Sequence, residues 1–358
     1  MLLGAPPSLP ASGGLHGTER SFAMGFTPFP HDGGAAGLFD ALATIEQEGD
    51  LTVFHYDDGV PWNEALAGLP HPDRATLSWL RSLVPSGQHI YLAVTPIALS
   101  RDRLAPCWPN LPLTPPWDTL PFDDPAVVTA FTNHCEEMLA LFQPDYFALS
   151  IEANLVHTLA PAKWSAWLSL AQQVATALRA SHPGLPLFAT LQADEFWLRL
   201  ADPPDPTTGL TQAQAARQVV ALSDCVAISS YPAMLTYRGR VAELPPGYFE
   251  ALRRLDPTKP FAIAETGWPG ELLDAPWPWK LGTSALDQRD WVEALLGAAD
   301  RHHALFVNWY LTRDYDALWS SGSIAQDALN RYFRDMGLKD GLGRTRPGLL
   351  SWRRWLAR

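Results

Sequence analysis

The sequence is short of basic residues, of cysteine and of long apolar runs. Lysine and arginine together number 26 against 38 aspartates and glutamates, which gives a formal net charge of −12. No block of basic residues interrupts this acidic excess, so nucleic acid and anionic membrane surfaces are poor candidates as partners. No apolar stretch reaches the roughly 18 residues that a membrane-spanning helix requires, so we predict no membrane span.

Cysteine and histidine do not form the patterns of a metal or redox protein. The three cysteines, Cys107, Cys135 and Cys225, are widely spaced and odd in number, which indicates free buried thiols. His134 and the pair His302–His303 lack the i, i+4 spacing of helical zinc ligands. Neither a phosphate-binding glycine loop nor a serine nucleophile elbow occurs. We therefore expect no metal and no cofactor.

Aromatic residues and strand-like segments are abundant by contrast. Aromatics make up 11% of the chain, including 15 tryptophans, and their flat apolar faces suit the C–H faces of sugar rings. Most of these rings must nonetheless pack in the core. Eight short apolar segments have the length and composition of buried strands, at 22–27, 51–56, 90–95, 146–152, 187–192, 225–231, 261–265 and 305–310.

Segments with helical periodicity separate these strands. Examples lie at 36–48, 125–142, 161–181, 212–222, 248–255 and 284–301. Strand and helix alternating eight times predict an α/β fold, a (β/α)8 TIM barrel, as one catalytic domain over residues 21–358. Residues 1–20 are typical of a flexible tail, or of what remains once an export signal is removed. The compartment stays open, secreted or periplasmic in that case and cytoplasmic otherwise, and so does the oligomeric state.

Two connections are too long to be simple turns. Both follow a strand, which places them on the face where barrel enzymes hold their chemistry. Their tryptophans either form the walls of sugar subsites or pin the loops to the barrel as a small core of their own. The loops are 97–124, with Trp108 and Trp117, and 266–283, with Trp268, Trp277 and Trp279.

Two of the predicted strands end on a glutamate. The apolar run 261–264 ends on Glu265, and a Gly-Trp-Pro sequence then turns the chain away. The run 146–151 ends in the same way on Glu152. A single glutamate at a strand end is compatible with a structural ion pair. Two of them at the catalytic edge of one barrel suggest acid/base and nucleophile chemistry at a sugar.

Motifs at the strand ends resemble the retaining (β/α)8 glycoside hydrolases of clan A, in particular endo-β-galactanases and endo-β-1,3-glucanases. They are Glu-Thr-Gly-Trp-Pro at 265–269, Ser-Ser-Tyr-Pro at 229–232 and Asn-Trp-Tyr at 308–310. The segment 341–348 ahead of the last helix also resembles the closing segment of such enzymes. The resemblance covers about the whole barrel, but its specificity depends on these few strand ends.

This resemblance implies a mechanism and assigns roles to residues. Glu265 would be the nucleophile and Glu152 the acid/base, with carboxyl groups roughly 5 Å apart. Tyr231 would hydrogen-bond Glu265, and Trp309 would form the floor beneath the sugar. The implied activity is hydrolysis of β-glycosidic bonds in an oligo- or polysaccharide, by double displacement through a covalent glycosyl-enzyme.

The chain departs from the clan pattern at one position. Clan members usually carry asparagine directly before the acid/base, where this chain has Ile151, which strand alternation predicts to point into the packed wall. Asn154 either supplies the missing amide or caps a helix. Two alternatives therefore stay open: a catalytically silent barrel that binds glycans, and a transglycosylase that uses the same two carboxylates.

Other polar residues that follow strands are candidate sugar contacts. Asp32 fits either a sugar contact or a turn beside Gly33, and Asp58 fits a turn beside Gly59. His55 lies within its strand and is predicted to be a core histidine. The candidates for substrate binding are His31, Asp57, Asn63, Gln192 and the loop residue Trp268, with Asp194 or Glu195 as further cleft residues.

Overall fold

The chain folds into a closed barrel of eight parallel strands in sequential order, in a computed structural model that describes residues 20–274, 280–325 and 327–358. The predicted (β/α)8 barrel is confirmed. Every predicted strand corresponds to an observed one, with differences only at the ends. The strands are β1 Ala23–Thr27, β2 Leu51–Tyr56, β3 His89–Val94, β4 Tyr146–Ser150, β5 Leu187–Gln192, β6 Val226–Ser230, β7 Phe261–Thr266 and β8 Ala304–Leu311.

Helices surround the barrel and also occur within its upper loops. The helices are α1 Ala35–Glu48, α2 Trp62–Leu66, α3 Arg74–Ser82, α4 Pro125–Phe142, α5 Asn154–Leu159, α6 Trp164–Ser181, α7 Ala193–Leu198, α8 Gln212–Leu222, α9 Tyr248–Arg253, α10 Ala285–Arg301, α11 Asp316–Ser321, α12 Ala328–Arg334 and α13 Pro347–Leu356. Local signals place their ends. Asp124 caps α4 by accepting the Ala126 N–H, and Pro125 takes the first helical position.

Large side chains fill the inside of the barrel below the carboxyl ends of its strands. The rings of Tyr91 and Phe306 lie 4.8 Å apart, and those of Tyr91 and Phe188 lie 5.6 Å apart. Successive strand residues alternate between this inner cluster and the layer between strands and helices. Leu51 and Val53 of β2 both belong to the inner cluster. The barrel is therefore solid, and a ligand has access only to its upper end.

The long loop after β3 has a small core of its own. Trp117 is fully buried and stacks on Trp62 at 5.3 Å, while its indole N–H donates to Asn63 Oδ1 at 2.7 Å. The indole of Trp108 donates to Asp73. These contacts match the interpretation of the tryptophans as anchors for the loop.

The described part of the loop after β7 is anchored in the same manner. Trp268 is fully buried, and its indole N–H donates to Thr283 Oγ1 at 2.8 Å. Trp277 and Trp279, the other two predicted wall residues, lie outside the described residues. The described tryptophans of both loops thus stabilise loop packing.

Arg20, the first described residue, makes an ion pair with the barrel. Arg20, which the sequence places in the tail, is buried and pairs with Asp50 at 2.5 Å. The barrel domain therefore includes Arg20, and the rest of the predicted tail lies outside the described residues. Within the described residues, no helix combines the length and the apolar character needed to cross a membrane.

Candidate active site

The carboxyl ends of the strands surround a cavity of about 410 Å³ that contains both predicted catalytic glutamates. In a parallel barrel this edge is where chemistry is concentrated. The lining comes from β2, β5, β7 and β8, from the connections after β1 to β6, and from α12. It consists of Phe29, His55, Asp57, Leu99, Arg101, Ile151, Glu152, Leu155, Gln192, Asp194, Glu195, Leu198, Tyr231, Met234, Glu265, Tyr310, Leu329, Asn330 and Phe333.

Glu265 lies at the end of β7 and is held through both carboxylate oxygens. The Tyr231 hydroxyl donates to Oε1, and His55 Nδ1 lies 3.2 Å from Oε2. The Glu265 side chain is only 12% exposed. A carboxylate fixed in this way points one oxygen edge in a defined direction, which is the arrangement that a nucleophile needs.

An irregularity in the strand turns Glu265 into the cavity. Ala262 and Ala264 belong to the inner cluster, so simple alternation would direct the next residue outward. The register of β6 and β7 shifts between Ile228 and Ser229, where Ser229 pairs with Glu265. Such a bulge redirects a side chain.

Gly267 of the Glu-Thr-Gly-Trp-Pro motif allows this region to pack closely. A Cβ at this position would lie 2.6 Å from Met336 Sδ and 3.3 Å from the Tyr231 ring. Any larger residue would therefore have to displace Met336 and would crowd the tyrosine that holds Glu265.

Glu152 lies two residues after the end of β4 and has an unusual backbone. Its φ is 50°, in the left-handed region that non-glycine residues seldom adopt. The Glu152 N–H donates to Thr190 Oγ1 at 2.8 Å, and the next N–H, of Ala153, donates to the Thr190 carbonyl at 2.9 Å. A neighbouring strand thus holds the strained turn in place.

Arg101, from the loop after β3, binds Glu152. Its Nη2 donates to Glu152 Oε2 at 2.8 Å, and its Nη1 donates to the Ile151 carbonyl at 3.1 Å. The Arg101 side chain is buried, and its own φ is 65°. This guanidinium is the direct partner of the predicted acid/base.

The environment of Glu152 favours its protonated form. Burial raises the pKa of Glu152 to about 7, with a further contribution from the charge of Glu265, although Arg101 and His55 oppose the shift. A carboxyl group with a pKa near neutrality can donate a proton under ordinary conditions, as a general acid must.

Asp194 supports the floor of the cavity. It is buried and accepts hydrogen bonds from the Tyr231 N–H at 2.7 Å, the Tyr248 hydroxyl at 2.8 Å and the Gln192 side-chain amide at 3.0 Å. Burial raises the pKa of Asp194 to about 6. Asp194 thereby connects the end of β5 to the tyrosine that holds Glu265.

The structure brings some of the predicted substrate-binding residues into the cavity. Asp57, Gln192 and Tyr231 line it together with Asp194 and Glu195. Asp57 is exposed, and its Oδ2 lies 4.0 Å from His55 Nε2. The side chain of Gln192 is occupied by contacts with its own loop.

Trp309 lies outside the cavity, and its neighbour Tyr310 lines it instead. On β8, Phe306 and Tyr310 share the inner face, so Trp309 points outward between strands and helices. Trp309 is fully buried; its indole N–H donates to the Met336 carbonyl at 2.8 Å, and its ring packs against Trp352. The residue available as a floor beneath a sugar is therefore Tyr310.

Ile151 and Asn154 also occupy other positions than the sequence predicts. Ile151 belongs to the inner cluster and lines the cavity, because the register of β4 and β5 shifts after Ala148 and interrupts the alternation. Asn154 is fully buried, and its amide binds the backbone N–H and carbonyl of Gln192. Asn154 thus neither caps its helix nor reaches the cavity.

Three further predicted ligands are occupied elsewhere. Asn63 binds the Trp117 indole, and Trp268 packs below its loop. His31 Nδ1 lies 3.7 Å from Asp40 Oδ2, outside the residues that line the cavity. These polar groups satisfy contacts within loops, which strand-end position alone does not distinguish from ligand contacts.

Sequence reasoning missed several residues of the cavity. His55 lies on the inner face of β2, two residues after Val53 and four after Leu51, and faces Glu265. Alternation along the strand was the sequence signal that could have placed it there. Arg101 carries no local signal. Asn330 and Phe333 come from α12, in the long segment after β8, and close the side of the cavity next to Tyr310.

Comparisons with known proteins show the fold. No protein-family model and no curated protein matches the sequence. Among solved structures, the exo-β-1,4-mannosidase Op5Man5 from Opitutaceae bacterium strain TAV5 has a TM-score of 0.66 at 15% identity. The alignment covers 98% of this chain and 62% of that one, so this chain spans less than two thirds of the mannosidase.

Two GH5_18 proteins align over more of their length. The one from Streptomyces cattleya, in complex with GlcNAc, has a TM-score of 0.68 at 16% identity and covers 95% of this chain and 81% of its own. The one from Bifidobacterium longum subsp. longum ATCC 55813 has a TM-score of 0.68 at 16% identity, with coverages of 94% and 79%. A variant of the latter was solved with Manβ1-4GlcNAc. The resemblance to clan A is confirmed at the level of the clan's fold, while the finer likeness to galactanases and glucanases stays a prediction.

Proposed function

We propose that this protein is a retaining β-glycoside hydrolase with Glu265 as nucleophile and Glu152 as acid/base. The observation that carries the proposal is the contrast between the two carboxyl groups of one cavity. Glu265 receives the Tyr231 hydroxyl and faces His55, whereas Glu152 has a pKa raised to about 7. A carboxyl group held by a hydrogen-bond donor suits a nucleophile, and a carboxyl group whose pKa is raised toward neutrality suits an acid.

In the first step, Glu265 attacks the anomeric carbon while Glu152 gives its proton to the glycosidic oxygen. The bond between sugar and leaving group breaks, the leaving group departs as an alcohol, and the sugar remains as an ester of Glu265. Tyr231 and His55 hold Glu265 for in-line attack.

In the second step, Glu152 acts as the base. Ester formation removes the negative charge of Glu265, which is one of the contributions that raise the pKa of Glu152. Glu152 already gave its proton to the leaving group in the first step. Its lowered pKa keeps it a carboxylate, which can take a proton from water. That water attacks the anomeric carbon, releases Glu265 and yields a sugar with the original configuration.

The structural neighbours suggest which sugars to test first. They include an exo-β-1,4-mannosidase, complexes with Manβ1-4GlcNAc and a β-glucuronidase. We propose a β-linked hexose in the subsite next to Glu265, with β-mannosides as the first choice. The test is a panel of nitrophenyl β-D-mannoside, glucoside, galactoside and glucuronide.

The panel requires variants of both carboxylates. Glu265→Gln should lower kcat/KM by about a thousandfold or more, because an amide cannot attack the anomeric carbon. Glu152→Gln should lower kcat by a similar factor, because nitrophenolate leaves without a proton but the second step still needs a base. Azide should rescue Glu152→Ala with formation of a β-glycosyl azide, since azide replaces the water that needs a base. An α-glycosyl azide from Glu265→Ala would identify that residue as the nucleophile.

The alternatives give different results in the same assays. A glycan-binding barrel without catalysis would bind sugars and turn over none of the panel, which would overturn the proposal. A transglycosylase would yield products longer than the starting oligosaccharide. Equal activity of the native protein and Glu265→Gln would also overturn the assignment.

A further inference from the structure

Three exposed or half-buried leucines surround the side of the cavity on which Glu152 lies. Leu99 comes from the loop after β3, Leu155 from α5 after β4, and Leu198 from α7 after β5. Leu99 is 73% exposed and Leu198 is 62% exposed. These three connections are neighbours around the barrel, with Glu152 on the middle one. The leucines therefore form one apolar rim beside the acid/base.

The leucine rim lies where the leaving group of a substrate would extend. A general acid lies next to the glycosidic oxygen, and the leaving group extends beyond that oxygen, away from the nucleophile. Glu265, Tyr231 and Tyr310 come from β6 to β8, and His55 and Asp57 come from β2 and its end. The polar groups suited to a sugar thus concentrate around Glu265, and the leucine rim lies on the leaving-group side.

The polar groups on the leaving-group side are already occupied. Arg101 donates to Glu152 and to the Ile151 carbonyl, and Glu195 is paired with Arg199. Gln192 both donates to Asp194 and accepts from the Glu195 N–H. A second sugar at this place would find few protein groups free to bind its hydroxyls, which it would have to strip of water.

The aromatic surface that binds an extended glycan is also lacking there. Among the tryptophans of the described ranges, none lines the cavity. The rings that do are Phe29, His55, Tyr231, Tyr310 and Phe333, and none of them comes from the connections after β3 to β5. Leucine offers no flat face for the C–H surface of a sugar, but it favours contact with alkyl or aryl groups.

We propose that the substrate is a β-glycoside whose leaving group is an apolar alcohol, alkyl or aryl, rather than a second sugar. This inference rests on the proposed function, because it needs Glu152 as the acid. On departure the apolar alcohol takes the proton of Glu152 and leaves across the rim formed by Leu99, Leu155 and Leu198.

The test uses methyl, butyl and hexyl β-glycosides of the sugar that the panel selects, next to the β-1,4-linked disaccharide of that sugar. The parent alcohols have nearly equal acidity, so differences report on binding of the chain. We expect kcat/KM to rise about two- to fourfold per methylene, as partial to full burial of a CH₂ predicts. The hexyl glycoside should exceed the disaccharide at least tenfold.

Variants at exposed leucines test whether the rim itself causes the dependence of kcat/KM on chain length. The double variant Leu99→Ser, Leu198→Ser should flatten the dependence on chain length. The matched control is Leu342→Ser, at a leucine that is 76% exposed and does not line the cavity, and it should keep the native slope.

The outcomes distinguish this inference from the proposed function. Turnover with no dependence on chain length, and with the disaccharide as good as the hexyl glycoside, would overturn the apolar leaving group and leave the hydrolase intact. Absence of turnover with every glycoside would overturn the proposed function itself. A native slope in the double variant would remove the rim as its cause.

Discussion

Arg101 and Glu152 form an ion pair in which both residues have left-handed backbone conformations. Their φ angles are 65° and 50°, and Nη2 lies 2.8 Å from Oε2. Each such conformation costs a non-glycine residue about 1–3 kcal/mol and persists only where the surroundings impose it. Thr190 imposes it on Glu152, because its hydroxyl and carbonyl oxygens accept the backbone N–H groups of Glu152 and Ala153. Strain of this kind concentrates at functional sites, and here it places a cation against the proposed acid/base.

Arg101→Met should move the basic limb of the pH profile of kcat/KM to higher pH. Arg101 opposes the upward shift of the Glu152 pKa, so its removal keeps the acid protonated further into the basic range. The other charged groups that act on Glu152 are Glu265, Asp194 and His55, which the substitution leaves in place. The measurement is kcat/KM between pH 5 and 9, with the limb in the native protein expected near pH 7.

Two further variants complete that experiment. Arg101→Lys keeps the positive charge and should return the limb toward its native position. Arg103→Met removes an exposed arginine whose only ion pair among the described residues is with Asp102, and it should leave the limb unchanged. A profile of Arg101→Met that matches the native one would show that the ion pair does not control the acid.

Tyr231→Phe should lower kcat/KM by roughly 10- to 150-fold. The hydroxyl donates to Glu265, and a hydrogen bond to a charged group contributes about 1.5–3 kcal/mol. The phenyl ring fits the same buried space, so the fold should be retained. The matched control is Tyr237→Phe, at an exposed tyrosine, which should keep native kinetics. Equal losses in both variants would speak against a specific role of Tyr231.

Trp309→Phe should reduce stability and leave catalysis nearly unchanged. The indole is fully buried and donates to the Met336 carbonyl, so the smaller ring leaves a cavity and an unpaired carbonyl. We expect a loss of about 1–3 kcal/mol in the free energy of unfolding, measured by urea denaturation. A strong loss of kcat/KM at native stability would instead place Trp309 in contact with substrate.

Glu152→Gln should change how stability depends on pH. The folded-state pKa of about 7 lies above the reference value of 4.5, so the folded protein holds a proton that the unfolded chain releases. The contribution of this group is complete below pH 4.5 and is lost as the pH rises through 7, by on the order of 2–3 kcal/mol. The native protein should therefore lose stability relative to Glu152→Gln between pH 4.5 and 7.5. A constant difference between the two unfolding free energies would contradict the raised pKa.

Much of the fold was predictable because its signals are local. The eight apolar runs bounded by turn residues identify the strands, and helical periodicity identifies α4, α8 and α10 to within a residue. The same signals place Glu152 and Glu265 at strand ends. None of this requires knowledge of which residues meet across the barrel.

The orientation of side chains at strand ends was less predictable. A shift of register reverses the inward and outward faces, and the sequence does not mark the shifts that bring Ile151 and Glu265 inward. On β8 the choice between Trp309 and Tyr310 depends on one step of alternation, and the larger ring packs outward. Most strand-end polar residues outside the cavity bind their own loops, as Asn63 and Asn154 do.

By itself the sequence determined the barrel, the edge at which its strands end and the two glutamates near the ends of β4 and β7, because hydrophobic period and turn chemistry act over a few residues. Only the tertiary structure decided that Arg101 and His55 reach those glutamates and that leucines border Glu152. Contacts between loops of different strands depend on barrel closure and strand register, which no short stretch of residues encodes.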